Sequence, residues 1–415
     1  MLVPSSHNPR LLAILLLISL TSGCAVPAML QAQQQKDREK NSGGQGPQQP
    51  PWPTVMDHRA VSREEIHFPA IGDYLVLKGD FHCHTIYSDG QVTPEVRVWE
   101  AWRDGLDILN LTDHPEYMDT AFPADSGRSF GRVKALAKEL GLVLIHSAEL
   151  TTTHSASPPF SDFIVSFIQD EQKMKGDFYS AIRAAREQGA VVIWAHPGAQ
   201  WTQEARRLLE QGWLDGIEIR NAETAGSAGT SIKDGTSFYP QVMDWCLQNN
   251  LGLFASSDAH WPIDHYFNFP KGDRRDMTLV LAGTRDEAGI KEAIKQRRTI
   301  GYFGEMLWGP ERWLKAVSEA ALRFKNIALI RPTERVFAIA VENQSSFPFK
   351  VQFSANIDEV WFRPVVIKLA SRSTTLVPFT SKGPNQRVLP LKVTLTLTNV
   401  FAGTNRPLQL TKEIN

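Results

Sequence analysis

The sequence predicts an α/β protein with parallel strands in a βα-type barrel, followed by a small all-β sandwich, and three observations carry that prediction. From about residue 72, short apolar runs alternate with helical stretches, an order that argues for parallel strands. The histidines and acids able to do chemistry stand at or just past the ends of those runs, where βα barrels place their sites. After Tyr302 the alternation stops. Short alternating runs separated by turn residues follow, the pattern of an antiparallel sandwich.

The first run, 74–77, reads as strand and leads into Gly79-Asp80-Phe81-His82-Cys83-His84-Thr85-Ile86-Tyr87-Ser88-Asp89-Gly90. Residues two apart in a strand face the same way, so His82 and His84 project together, Cys83 points to the other face, and Asp89 arrives from the loop beyond. Imidazoles and a carboxylate gathered in this way suit a metal ion. Thr93 caps a helix with Pro94 at its first position and Gly105 at its stop. A strand over 106–111 ends in Thr112-Asp113-His114-Pro115, and a helix over about 128–140 stops at Gly141. Strand 142–145 leads to Glu149. Strand 163–168 precedes a helix near 177–188 that ends at Gly189. Strand 190–195 delivers His196-Pro197-Gly198, strand 216–219 leads to Arg220 and Asn221, and strand 251–255 ends in Ser256-Ser257-Asp258-Ala259-His260. His7, His58, His67 and His146 fall outside the pattern and read as surface or core residues. Past a helix near 310–322, the runs 336–341, 349–353 and 391–397 read as sandwich strands, their aromatics as core.

At 415 residues the chain is long enough for two domains. A net charge of −1 gives no basic footprint for nucleic acid, so an anionic substrate has to be held locally. No phosphate-cradling glycine loop, dinucleotide fingerprint or nucleophile elbow is present. At the start, Arg10 precedes an apolar core over 11–20, then Thr21-Ser22-Gly23-Cys24. That run is too short to span a bilayer and reads as an export signal. It is similar to a bacterial lipoprotein signal, with Cys24 as the lipidated residue, although Thr21 stands where that motif carries Leu, Val or Ile; plain cleavage after Ala28 is the alternative. The Gln-, Gly- and Pro-rich stretch that follows reads as a solvated tether. The expected organisation is a signal peptide over 1–24, a disordered linker over 25–65, the barrel over 66–325 and the sandwich over 326–415. The expected location is exported, either anchored in a bacterial envelope or secreted.

Taken in order, H-x-H (His82, His84), S-D-G (Asp89), D-H (Asp113, His114), A-E-L (Glu149), H-P-G (His196) and S-D-A-H (Asp258, His260) resemble the motifs of the polymerase-and-histidinol-phosphatase (PHP) superfamily of metal-dependent phosphoesterases. The resemblance spans about 72–305. It implies a distorted seven-stranded (β/α) barrel holding two or three divalent ions. It further implies that His82, His84, Glu149 and Asp258 hold the first, that Glu149 bridges to a second shared with His196, and that Asp89, His114 and His260 hold the third, with Asp113 orienting a ligand from behind. One position departs from the family's pattern. The histidine expected at the start of the strand after Glu149 is replaced by Ser161-Asp162, while His154 comes early, so either His154 reaches in or Asp162 supplies an oxygen ligand. Mixed imidazole and carboxylate donors suit zinc, manganese or iron.

The activity implied is hydrolysis of a small phosphate ester by metal-activated hydroxide, with Glu149, Asp258 and His260 as the catalytic residues. Arg220 is a candidate phosphate contact, against the alternative of a surface salt bridge. Two other readings stay open: a phosphodiesterase or exonuclease, as some relatives are, and a non-catalytic surface module on a PHP scaffold.

Overall fold

The strands that carry the site are buried along almost their whole length, as strands covered on both faces are. They belong to a computed structural model that describes residues 62–115, 128–152, 161–174, 176–223, 238–355, 359–382 and 390–414. The expected signal peptide, Cys24, most of the linker and His154 lie outside the described residues.

The elements run β1 (Leu75–Asp80), α1 (Pro94–Arg103), β2 (Ile108–Leu111), α2 (Arg128–Glu139), β3 (Val143–Thr151), β4 (Asp162–Ser166) and α3 (Phe178–Glu187). Next come β5 (Val191–Trp194), α4 (Gln203–Glu210), β6 (Gly216–Asn221), α5 (Gln241–Asn249), β7 (Gly252–Ser256), β8 (Met277–Ala282), α6 (Glu287–Lys295) and β9 (Thr299–Phe303). After β10 (Met306–Trp308) and α7 (Glu311–Ala321) the chain is all strand: β11 (Leu322–Arg331), β12 (Val336–Asn343), β13 (Phe349–Ala355), β14 (Val360–Phe362), β15 (Val366–Leu369), β16 (Ser373–Ser381), β17 (Leu391–Phe401) and β18 (Pro407–Ile414). Local chemistry sets the helix ends. α1 starts at Pro94 behind an extended Thr93, and Gly105 follows it with φ +82°, a left-handed conformation that glycine adopts freely. Asp177 caps α3 by accepting from the N–H of Tyr179 and Ser180.

The result is a mixed α/β fold with a large central sheet, ordered β15-β13-β17-β10-β9-β8-β1-β2-β3-β4-β5-β6-β7. β1, β2 and β3 run parallel, as do β5, β6 and β7. β4 is antiparallel to both β3 and β5, where the alternation predicts parallel strands. The reason is the connection: only the ten residues 152–161 separate β3 from β4, and a parallel return needs a crossover of roughly a dozen residues or more. At the far edge, β7 turns back beside β8 and β9. The N–H of Leu253 donates to Thr299 Oγ1 at 2.9 Å and that of Ala255 to Thr278 Oγ1 at 2.9 Å. The curled sheet encloses an apolar cluster drawn from β1 to β5, β7 and β8, including Leu77, Ile108, Ile145, Ile164, Ile193, Phe254 and Val280. Phe81 meets Phe254 edge to face at 5.2 Å.

The C-terminal strands join this sheet. Leu307 and Trp308 of β10 pair in parallel with Val400 and Phe401 of β17. A second sheet, β11-β12-β16-β14, lays Phe337, Ile339, Val341, Val377 and Phe379 into the same apolar cluster as Val351, Phe353, Leu395 and Leu397. Among the described residues, no helix is long and apolar enough to cross a membrane.

Candidate metal centre

β1, β2, β3, β5 and β7 bring their C-terminal ends to one place: Glu149 sits within β3, Asp162 opens β4, and the other imidazoles and carboxylates come from the segments leaving β1, β2, β5 and β7. His82 Nε2 lies 3.1 Å from His84 Nε2, 2.9 Å from Glu149 Oε2 and 3.1 Å from Asp258 Oδ1. His84 Nε2 is 3.1 Å from each of the same two carboxylate oxygens. Both histidines are fully buried. Cys83 faces away and donates its S–H to the Asn110 carbonyl.

Glu149 sits at the middle of the cluster. Its Oε2 also lies 3.3 Å from His114 Nε2, and its Oε1 lies 3.2 Å from His196 Nε2. Asp162 completes a second set, with Oδ2 3.5 Å from the same His196 nitrogen. A third lies on the open side. Asp89 Oδ2 is 3.3 Å from His260 Nε2 and 3.7 Å from His114 Nε2, while its Oδ1 is 3.3 Å from His84 Nδ1. Asp113 touches no ring directly. Its carboxylate accepts from Thr85 N–H (2.7 Å), Thr85 Oγ1 and Ser88 Oγ (2.9 Å), and so shapes the turn that presents Asp89. In that turn a Cβ on Gly90 would lie 2.6 Å from backbone atoms of His84 and Thr85, so only glycine fits.

Two of the assembled residues have left-handed backbones, His196 at φ +25° and Asp258 at φ +51°. For non-glycine residues this costs of order 1–3 kcal/mol each and persists where the surroundings over-determine it. Here the Asp258 N–H donates to the His82 carbonyl at 2.7 Å and the His196 N–H to Glu218 Oε2 at 2.8 Å.

With no cation the cluster is a knot of opposed charges. Burial opposes charge on His82, but Asp258, Glu149 and Glu218 outweigh it and hold the ring well above its ordinary pKa. His84 is raised in the same way, burial being overcome by Asp258, Asp89 and Glu149. Burial likewise opposes, and Glu149 prevails, in raising His196 to about 9; for His260 burial and His84 oppose, and Asp89 and Glu223 raise it to about 9. Glu149, Asp258 and Asp89 move the other way: their histidine neighbours overcome burial and hold them below the carboxylate range. Asp162 is pushed up to about 6 by burial and then by the charge of Glu149. Oδ1 of Asp162 is buried and accepts no hydrogen bond, an expensive state for a carboxylate oxygen. Imidazole nitrogens, carboxylate oxygens and this unsatisfied atom fit divalent metal ions of the zinc, manganese and iron type.

Of the residues singled out from sequence, His82, His84, Asp89, His114, Glu149, Asp162, His196, Asp258 and His260 converge here. Arg220 does not join them. It is buried, with Nε 2.6 Å from Asp276 Oδ2, and lines a neighbouring cavity of about 830 Å³ with Glu223, Tyr266 and Arg275. His146 pairs with Glu171 at 2.9 Å, away from the cluster. Residues that sequence reading passed over complete the surroundings. Glu218 and Asn221 of β6 stand behind His82 and Asp258. Glu223 Oε2 is 3.5 Å from His260 Nδ1 and accepts from the Tyr266 hydroxyl. Asp80 pairs with Arg275 at 2.7 Å and accepts from the N–H of His82 and Ser257. The available signal was an acid flanked by apolar strand residues, as at Glu218 between Ile217 and Ile219.

Fold and site together define an α/β protein with a buried His, Glu and Asp cluster of a kind that fits divalent metal ions. No protein-family profile matches the chain. Over 78 residues it is 33% identical to the 5'-3' exoribonuclease of Haemophilus influenzae, a stretch covering 19% of this chain and 25% of that protein; the chain thus spans about a quarter of the length of the curated relative it matches. A solved two-domain protein of Bacteroides vulgatus that contains a predicted PHP-like metal-dependent phosphoesterase is 31% identical, with a TM-score of 0.74 covering 86% of this chain and 100% of that one. A proposed metal-dependent phosphoesterase of Bifidobacterium adolescentis is 16% identical, with a TM-score of 0.34 over 44% of this chain and 88% of that one. By its likeness to the whole of the Bacteroides vulgatus protein, the chain belongs to the PHP-like metal-dependent phosphoesterases.

Proposed function

We propose that the protein hydrolyses a small phosphate ester, using divalent ions held by the nine clustered side chains. The observation that carries the reading is Glu149. One carboxylate faces four imidazole nitrogens at 2.9, 3.1, 3.3 and 3.2 Å, as a ligand shared between ions does. Bound cations supply Lewis acidity, lowering the pKa of water and offsetting charge that develops on phosphoryl oxygens. The chain's own residues bind and orient. His82, His84, Glu149 and Asp258 form the innermost set, Glu149, Asp162 and His196 the second, and Asp89, His114 and His260 the third. Exposure marks the entry side: the Asp89 side chain is 39% accessible, against 0% for His82 and His84. Substrate phosphate therefore meets the second and third sets first, while the innermost set is shut off from bulk water.

A second reading, a phosphodiesterase, is favoured by the matched segment of the exoribonuclease, a protein that by its name acts on RNA; the formal charge of −1 counts against a nucleic-acid substrate. Metal analysis of the purified protein, with turnover measured on a p-nitrophenyl monoester, the matching diester and a short RNA, separates the readings. Monoester turnover that depends on metal supports the first. Turnover confined to the diester or RNA supports the second, and metal-replete protein inactive on all three refutes both. We further propose an exported, lipid-anchored protein, on the strength of Arg10, the apolar run over 11–20 and Cys24; loss of membrane association in Cys24→Ser is the test.

A further inference from the structure

We propose that Glu218 is a positioning residue for two metal-ligand sets at once, one carboxylate oxygen fixing the ring of His82 and the other the backbone of His196. The inference rests on reading the cluster as a metal centre and adds a residue that touches no candidate ion. Glu218 lies in the middle of β6, fully buried between Ile217 and Ile219, which are fully buried too. A carboxylate in such a strand is tolerated only where its oxygens are used. Oε1 lies 3.0 Å from His82 Nδ1. Oε2 accepts the backbone N–H of His196 at 2.8 Å and Asn221 Nδ2 at 3.1 Å. The same Asn221 amide donates to Asp258 Oδ2 at 3.0 Å. Glu218 and Asn221, three residues apart on one strand, thereby reach ligands that leave the ends of β1, β5 and β7.

The chemistry follows from the donor inventory. His82 turns Nε2 toward His84, Glu149 and Asp258. A neutral imidazole carries one N–H, so for Nε2 to offer its lone pair the proton must sit on Nδ1, and an acceptor there selects that tautomer. Glu218 Oε1 is that acceptor. On the other side, the His196 ring reaches Glu149 from a backbone at φ +25°, and the hydrogen bond to Glu218 Oε2 holds the N–H of that residue. The third set is oriented by other groups: Ser88 at Asp89, Thr151 at His114, and Glu223 near His260. A carboxylate can accept from His82, His196 and Asn221 together. A glutamine cannot, because one of its two terminal atoms is a donor and must face an N–H.

The test uses the full chain with zinc as probe, labelled with 15N-histidine, the His82 signals being assigned by their absence in His82→Gln. The zinc-loaded wild type is expected to show a slowly exchanging His82 Nδ1–H. In Glu218→Gln the amide group faces an N–H on one side or the other, and stepwise calorimetry shows zinc affinity falling by about 10- to 100-fold for at least one of the two inner sets, with the His82 Nδ1–H lost where the amide faces it, and unchanged for the third. A variant that binds all its zinc with wild-type affinity overturns the proposal, as does a wild type in which Nδ1 of His82 is the ligating atom. If Glu218→Gln fails to fold, the wild-type spectrum decides alone. Zinc binding with no ester hydrolysis would refute the phosphoesterase reading and leave this one standing; a wild type that binds no zinc overturns both.

Discussion

Lowering the pH from about 9 to about 7 is expected to weaken divalent-metal binding at the Glu149, Asp162 and His196 set by about 50-fold, from protonation of His196 alone. In the metal-free protein the pKa of His196 is raised to about 9, its contact with Glu149 outweighing burial. A cation requires the neutral ring. At pH 7 a ring with that pKa is neutral in about one molecule in a hundred, and at pH 9 in about one in two, which gives the ratio. The sign follows from the direction of the shift. A raised imidazole pKa means that protons compete with metal at every pH below it, so affinity climbs as pH rises toward 9 and levels off above. Asp162, pushed up to about 6 by burial and Glu149, adds a second competing proton at lower pH. The logarithm of affinity therefore rises with a slope of about one between pH 6 and 9 and about two below pH 6. Calorimetric titration with manganese, in buffers of different ionisation heat, measures the affinity and counts the protons released. Affinity that stays flat between pH 7 and 9, with no proton released, refutes the reasoning.

Three further perturbations separate the parts of the site. Gly90→Ala places a methyl 2.6 Å from the backbone of His84 and Thr85; the turn must shift, so the Asp89 set is expected to lose metal in a calorimetric titration while the inner set keeps it. Asp162→Asn removes a carboxylate from the second set and is expected to lower its affinity roughly tenfold or more, with the His82, His84, Glu149 and Asp258 set still filled by metal analysis. Arg275→Met strands the buried Asp80 charge, which Arg275 meets at 2.7 Å. Chemical denaturation is expected to show a loss of about 3–5 kcal/mol, and a loss under about 1 kcal/mol would mean that the pair is replaceable.

Much of the site could be read in the sequence because its residues obey local rules. His82 and His84 sit two apart beyond a strand, and Asp258 and His260 two apart beyond another, so period and strand ends located them. α1 was legible from Pro94 and Gly105, each with a stereochemical reason to be where it is, while Thr93 precedes the helix in an extended conformation without the side-chain capping hydrogen bond expected of it. Glu218 was not, because a single acid in an apolar strand has no spacing partner and gains meaning only when β6 comes to lie beside His82 and His196. The direction of β4 was misread for a related reason: strand-and-helix alternation was extended across a connection of only ten residues, 152–161. The shared sheet was also out of reach, since nothing local to residues 307–308 or 400–401 announces the parallel pairing of β10 with β17. Arg220 was assigned from its place after a strand; its partner Asp276 is distant in sequence and made the assignment a matter of tertiary structure.

Anomalous diffraction from crystals grown with manganese or zinc tests the central claim most directly. The account predicts a strong peak enclosed by His82 Nε2, His84 Nε2, Glu149 and Asp258, and a second between Glu149, Asp162 and His196. Peaks elsewhere on the molecule, with these side chains still paired only to one another, would contradict it.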